Sequence, residues 1–68
     1  MIGYTIIEMY RIGAVPIILL HNPDREKPWC VMRTGSRFFR QEEDARECLE
    51  CLINNPTRCP QQCFHKES

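Results

Sequence analysis

The chain has 68 residues, of which 43% are apolar and 26% are charged, and its nine basic side chains are balanced by nine acidic ones. This composition predicts one small folded domain, and the zero net charge removes the commonest argument for a general polyanion binder. The first apolar stretch is interrupted by Glu8 and Arg11 and lacks the basic start of a secretory signal, and residues 14–20 fall short of the ~20 needed to span a bilayer. We therefore expect a soluble, cytoplasmic protein.

Four short extended segments come first along the chain. They are rich in β-branched and aromatic residues, and they cover residues 4–11, 15–21, 29–33 and 37–40. Gly13 marks a reversal between the first two segments, and a polar loop over residues 22–28 separates the pairs. Gly35 supplies a residue that tolerates a positive φ in the turn between the last two. The pattern predicts two antiparallel hairpins.

A helix follows, over residues 41–54. Its apolar stripe at helical spacing consists of Ala45, Cys48, Leu49 and Leu52. Acidic residues occupy the first turn, where they complement the helix dipole, and Pro56 ends the helix near Asn54. The expected fold is a single α+β domain over residues 1–68. It consists of a small antiparallel β-meander of three to four strands, one C-terminal helix packed on one face, and a cysteine-containing tail over residues 55–68.

The first two strands are more apolar than one helix can cover. We expect Ile6 to share one face with Tyr4 and Tyr10, and Ile7 to share the other with Met9, while the second strand is an unbroken apolar row. Such a pattern is typical of a sheet covered on both sides. Either the tail covers part of the second face and the rest is ordinary scattered apolar surface, or that face is a patch that docks a second copy or a target protein.

Four of the five cysteines fall within sixteen residues, in the order Cys48-x2-Cys51-x7-Cys59-x3-Cys63. Three interpretations remain open. The four thiolates could hold a structural zinc ion, they could form nested Cys48–Cys63 and Cys51–Cys59 disulfides, or they could be reduced and partly buried. The unpaired Cys30 and the missing secretory signal disfavour the disulfides.

No catalytic constellation is evident in the sequence. His21 and His65 have no nucleophile at a recognisable spacing, and the acidic side chains of the helix are typical of a solvated face. The Cys48–Cys51 pair lies in the second half of the helix, where the dipole disfavours a thiolate, which argues against thioredoxin-like chemistry. We expect no enzymatic activity, no small-molecule substrate and no cofactor other than the zinc ion considered above.

Residues 28–53 resemble a known class of DNA-binding module. The order Trp29-x-Val31, Gly35, Phe38 and Glu43-x-Ala45 ahead of a helix is similar to the three-strand-plus-helix modules of integrase arm-binding and AP2-type domains. In those families strand residues face the major groove. The resemblance implies that Arg33 and Arg37 contact phosphates or bases.

In kind, the chain is also similar to the small accessory proteins of bacteriophages, including anti-CRISPR proteins. That resemblance implies a phage-type inhibitor that occludes a host machine such as a CRISPR effector, which requires shape and a few anchor residues. Trp, Tyr and Arg dominate interface energies, so the candidate binding residues are Tyr4, Tyr10, Trp29, Arg33, Arg37 and Arg40. We therefore expect a non-catalytic protein-binding module or homo-oligomer. The alternatives are a ββα-type DNA-binding accessory protein and a zinc-stapled structural module.

Overall fold

The computed structural model describes residues 3–62, which form an antiparallel sheet, an α-helix and a 3-10 helix. In chain order the elements are β1 (Thr5–Tyr10), β2 (Ile17–His21), β3 (Trp29–Met32), β4 (Ser36–Phe39), α1 (Glu42–Asn54) and the 3-10 helix Pro60–Gln62. The sheet order is β1-β2-β3-β4. The predicted α+β meander is confirmed, and each strand and the helix begins and ends within about two residues of the sequence-based prediction.

Helix α1 begins and ends close to the residues that the sequence predicts. Gln41 is the N-cap with extended backbone angles, and the first turn carries three carboxylates that favour the positive end of the dipole. At the other end the Asn55 amide donates to the Cys51 carbonyl at 2.9 Å, just before Pro56. The residues of α1 that are buried are those of the predicted apolar stripe: Ala45, Cys48, Leu49 and Leu52.

Helix α1 packs on one face of the sheet, which we call the inner face. Its buried side chains meet the buried strand residues Ile17, Leu19, Val31 and Phe39, and together these form the hydrophobic core. Fully burying an aliphatic or aromatic side chain of this size contributes about 1.5–3 kcal/mol. Because α1 is the only α-helix among residues 3–62, it covers one face of the sheet and leaves the other without a helix.

A β-bulge in β1 changes the predicted assignment of side chains to faces. Ile6 lies opposite Leu20 while Glu8 lies opposite Leu19, so Ile7 is an extra residue in the strand. After the bulge, Met9 returns to the face of Ile6, and Tyr10 lies on the inner face. The predicted groupings of Ile6 with Tyr10 and of Ile7 with Met9 are wrong, because strict alternation fails where two residues oppose one.

The two hairpin connections use glycine differently. Within residues 3–62 a positive φ occurs at Gly13 alone, with a value of 82°, in the β1–β2 connection. Gly35 therefore does not use the positive φ that a glycine tolerates. Gly35 is constrained by space instead, since a Cβ at this position would lie 3.0 Å from Cys59 Sγ.

The described part of the tail, residues 55–62, lies against α1 and the β3–β4 turn. Pro60 is buried, the Cys48 thiol lies 4.0 Å from the Pro60 carbonyl oxygen, and Gln61 Nε2 donates to the Ser36 carbonyl at 3.4 Å. The expectation that the tail covers the second face of the sheet concerns residues 63–68 as well, which lie outside the described part. No helix among residues 3–62 is long and apolar enough to cross a membrane.

Candidate protein-binding face

The face of the sheet opposite α1 consists of two rows of side chains that follow from the strand register. We call it the outer face. The first row contains Ile6, Leu20, Cys30 and Phe38, and the second contains Met9, Ile18, Met32 and Ser36. Seven of these eight positions are apolar, Ser36 is the exception, and none carries a charge.

Exposure on the outer face is concentrated at its two edges. On β1, Ile6 is 53% and Met9 is 44% exposed, and on β4, Phe38 is 43% exposed. In the middle of the first row Leu20 and Cys30 are 8% and 2% exposed. The edges of the face are therefore the parts that remain available for contact.

An aromatic pair joins the two edges of the outer face. The ring of Tyr4 lies 5.6 Å from the ring of Phe38, and the Tyr4 hydroxyl donates to the Lys27 carbonyl at 2.9 Å. Tyr4 precedes β1 and Phe38 lies in β4, so the two rings meet above the strands between them. This pair gives the face a fixed shape.

The Cys30 thiol is part of this apolar surface. Burial raises its pKa above the ordinary value for a thiol, and the backbone amide of Arg37, which donates to it, offsets that shift in part. The neutral form is therefore favoured, and Cys30 behaves as a small apolar side chain.

An ionic cluster joins β1 to α1 on the inner side of the sheet. Arg46 contacts Glu8 at 3.2 Å and Glu42 at 2.8 Å, and the Tyr10 hydroxyl donates to Glu8 at 2.7 Å. The Tyr10 hydrogen bond, followed by Arg46, lowers the pKa of Glu8. These groups are solvent-accessible, so the cluster contributes little stability. Glu8, the charged residue of β1, lies on the inner side of the sheet because it pairs with Leu19.

Of the three aromatic residues predicted to bind, the structure places one at the outer face. That residue is Tyr4. Tyr10 and Trp29 are half-buried and pack against the core on the inner face, where the Trp29 ring lies 4.1 Å from the ring of His21. Phe38 is not among the binding residues predicted from the sequence. Phe38 and Phe39 are adjacent in a short strand, however, and successive side chains point to opposite faces, so one of the two must face away from the helix.

The three predicted arginines lie in three different environments. Arg33 donates from one guanidinium nitrogen to the carbonyls of Ile12, at 3.3 Å, and Val15. Arg37 belongs to the inner-face row of Leu19 and Val31, and its guanidinium lies 5.6 Å from the ring centroid of Phe39. Arg40 pairs with Glu26 at 3.0 Å on the exposed surface. The structure does not bring these side chains together on the outer face.

The cysteines of the predicted zinc site have distinct surroundings. Cys48 is buried beside Pro60, Cys51 accepts a hydrogen bond from Arg58 at 3.2 Å, and Cys59 adjoins Gly35. Cys51 and Cys59 are free thiols, so the bridge between them is not formed. Among residues 3–62 no three His, Cys, Asp or Glu side chains are arranged to hold a metal ion, and the fourth predicted ligand, Cys63, lies outside that range.

No protein-family model matches this chain, and neither a curated protein nor a solved structure does. The functional assignment therefore depends on the outer face and on the side chains around it.

Proposed function

We propose that the chain is a non-catalytic protein-binding module that uses the outer face as its docking surface. The observation that carries this proposal is that seven of the eight outer-face positions are apolar while no described element packs over them. A sheet with one solvated face normally alternates apolar and polar residues, with the polar ones outward. The apolar outer face therefore supports the proposal that a partner covers this surface.

The dimensions of the outer face support this assignment. Four strands spaced ~4.8 Å apart and five residues rising ~3.3 Å each give a projected area of roughly 300 Å². Contiguous apolar patches of ~300–600 Å² on small proteins are often functional.

Occlusion of a larger protein is the form of binding that we propose, as in phage inhibitors. Occlusion requires a rigid surface and anchor residues, and the Tyr4–Phe38 ring pair with the exposed Ile6 and Met9 supplies both. The proposal uses no acid, base or nucleophile of this chain.

Photo-crosslinking from the outer face tests the proposal. The photoreactive residue p-benzoylphenylalanine is placed at Met9 or, as a control, at Glu43 on the exposed side of α1, and adducts formed in the host are identified by mass spectrometry. We expect protein adducts from position 9 and none from position 43. The adducted partner is then purified and its affinity is measured for the wild type, Met9→Lys and Glu43→Gln.

The two substitutions raise the net charge by the same amount, so they separate the contact from a general charge effect. We expect Met9→Lys to weaken binding by at least ~10-fold, because a lysine ammonium loses its hydration in an apolar contact, and Glu43→Gln to leave it unchanged. A partner that binds Met9→Lys as tightly as the wild type would refute the docking surface.

The DNA-binding alternative is tested with the wild type and two arginine variants. It requires affinity for duplex DNA that falls steeply with salt and weakens on Arg33→Ala or Arg37→Ala. Arg33 is engaged with two backbone carbonyls and Arg37 lies over Phe39. We therefore expect no such affinity at low salt. The zinc-stapled alternative predicts about one zinc ion per chain in protein purified without chelator, and a ratio near zero would exclude it.

A further inference from the structure

We infer that the partner protein adds an extended segment to the free edge of β4, where the segment pairs with Phe38 and continues the sheet. The inference rests on the proposed function, because it concerns the same partner, and it names the form in which that partner binds. Three observations carry it: the direction of the backbone groups of β4, the regularity of its free edge and the exposed side chain at the centre of that edge.

Hydrogen bonds at the two ends of β3 define which of its backbone groups face β4. In an antiparallel ladder the N–H and C=O of one residue point to the same neighbouring strand, and successive residues point to opposite neighbours. The Asn22 amide donates to the Pro28 carbonyl at 2.8 Å, one step beyond the β2–β3 pairs. The Arg33 amide donates to the Gly35 carbonyl at 2.9 Å, one step beyond the β3–β4 pairs. The even-numbered residues of β3 therefore bond to β2, and the odd-numbered ones bond to β4.

The residues of β4 alternate in the same way. Arg37 and Phe39 lie opposite odd-numbered residues of β3 and bond to them, so Ser36 and Phe38 direct their N–H and C=O groups away from the sheet. The Ser36 carbonyl agrees with this direction, because it accepts a hydrogen bond from Gln61 Nε2 at 3.4 Å. A side-chain amide thus already occupies one outward acceptor. The next outward groups, those of Phe38, pair with no strand of the described part of the chain.

The free edge of β4 is regular, whereas the free edge of β1 is not. Ile6 and Met9 lie opposite even-numbered residues of β2, so their groups point outward, and the bulge at Ile7 breaks the spacing between them. The β3–β4 register has no such shift, so the outward groups of β4 keep the two-residue spacing that an added strand requires. Charged residues and prolines are common devices that block an edge, and Ser36 and Phe38 are neither. We therefore assign the added segment to β4.

The side chain of Phe38 joins this edge to the outer face. Its ring is 43% exposed and lies 5.6 Å from the ring of Tyr4. A residue that pairs with Phe38 directs its own side chain to the same face of the sheet. We therefore expect the added segment to place an apolar residue opposite Phe38. The segment should extend toward Arg40, because Gln61 already occupies the Ser36 end of the edge.

Methylation of single backbone amides tests the inference. The chain is assembled by chemical ligation at Cys30, with the Phe38 amide methylated in one variant and the Met9 amide, on the β1 edge, methylated in the matched control. Each change removes one outward N–H and leaves every side chain in place. Affinity is measured for the partner that is purified after crosslinking from position 9. We expect methylation at Phe38 to weaken binding at least ~10-fold, because it removes a hydrogen bond and obstructs the added strand, and methylation at Met9 to change it less than ~2-fold.

Hydrogen exchange of the wild type removes the dependence on variant folding. Exchange of individual amides is followed by NMR in the free chain and in the complex with the same partner. We expect the Phe38 amide to exchange at least ~10-fold more slowly in the complex, because a bonded amide exchanges only when the added strand opens. The Met9 amide, which also points outward, should change by less than ~2-fold.

Two results would overturn the inference and leave the proposed function standing. One is an equal loss of affinity from the two methylated chains, and the other is a Phe38 amide that exchanges as fast in the complex as in the free chain. Slow exchange of Phe38 in the concentrated chain alone would assign the added strand to a second copy and would also overturn it. A chain that yields no protein adducts from position 9 would refute both the inference and the proposed function.

Discussion

Arg33 is expected to stabilise the fold rather than to contact a ligand. Its guanidinium donates to the carbonyls of Ile12 and Val15, and a Cβ built on Gly13 would lie 3.5 Å from it. The side chain therefore lies across the β1–β2 connection and joins it to the end of β3. We predict that Arg33→Ala destabilises the protein by leaving two part-buried carbonyls without this donor.

The magnitude follows from the two hydrogen bonds. A bond from a charged donor is worth ~1.5–3 kcal/mol, and partial exposure lets water replace some of it, so we expect a loss of about 2 kcal/mol. A chain of this length has a total stability of ~3–10 kcal/mol, so the variant stays folded at 25 °C. Its Tm should fall by about 10 °C. Arg33→Lys should recover only part of the loss, because an ammonium does not reproduce the planar guanidinium fork.

The loss of stability is measured by urea unfolding, monitored through the fluorescence of Trp29, the single tryptophan. Arg11→Ala is the matched control, because it removes the same charge from an exposed residue next to the same connection. A difference between Arg33→Ala and Arg11→Ala of less than about 0.5 kcal/mol would refute the structural role of Arg33.

Three further predictions concern individual side chains. Gly35→Ala should lower the free energy of unfolding by about 1 kcal/mol, because the new Cβ would lie 3.0 Å from Cys59 Sγ. Adding Cys59→Ala to the same chain should restore most of this loss in a double-mutant cycle measured by urea unfolding, and simple additivity of the two changes would contradict the contact. At pH 8 Cys30 should react with iodoacetamide at least ~10-fold more slowly than Cys59 by mass spectrometry, because burial shields the thiol and raises its pKa; equal rates would disprove it. The Tyr10 hydrogen bond lowers the pKa of Glu8 from its ordinary value of 4.5. The stability that ionised Glu8 supplies is therefore complete above pH 4.5 and is lost as the pH falls through the lowered pKa. Glu8→Gln should remove this pH dependence from the acid-unfolding curve measured by circular dichroism.

The elements of the fold could be read from the sequence because their signals are local. The change to helical spacing at Ala45 and the stop at Pro56 define α1, and the glycine in the first turn separates β1 from β2. The bulge at Ile7 has no comparable signal, because the residues around it are apolar whichever face they occupy. Only the pairing with β2 determines which of them face the helix.

The candidate site shows the same limit. The surplus of apolar strand residues was visible in the sequence, and it correctly indicated a face that α1 leaves uncovered. Residue type identifies candidate anchor residues, but it does not determine which face of the sheet they occupy. Trp29 lies on the inner face because it pairs with His21 of β2 and Phe39 of β4, and Arg37 lies there because it pairs with Val31 of β3.

The bulge at Ile7 also bears on how large an assembly of this chain can become. An edge strand with an unbroken row of unpaired amides and carbonyls can pair with a strand of another molecule, and repeated pairing produces fibres. In β1 the extra residue interrupts that row halfway along the strand and increases its local twist. The β1 edge of the sheet is therefore a poor template for fibre growth, although β1 itself is largely apolar.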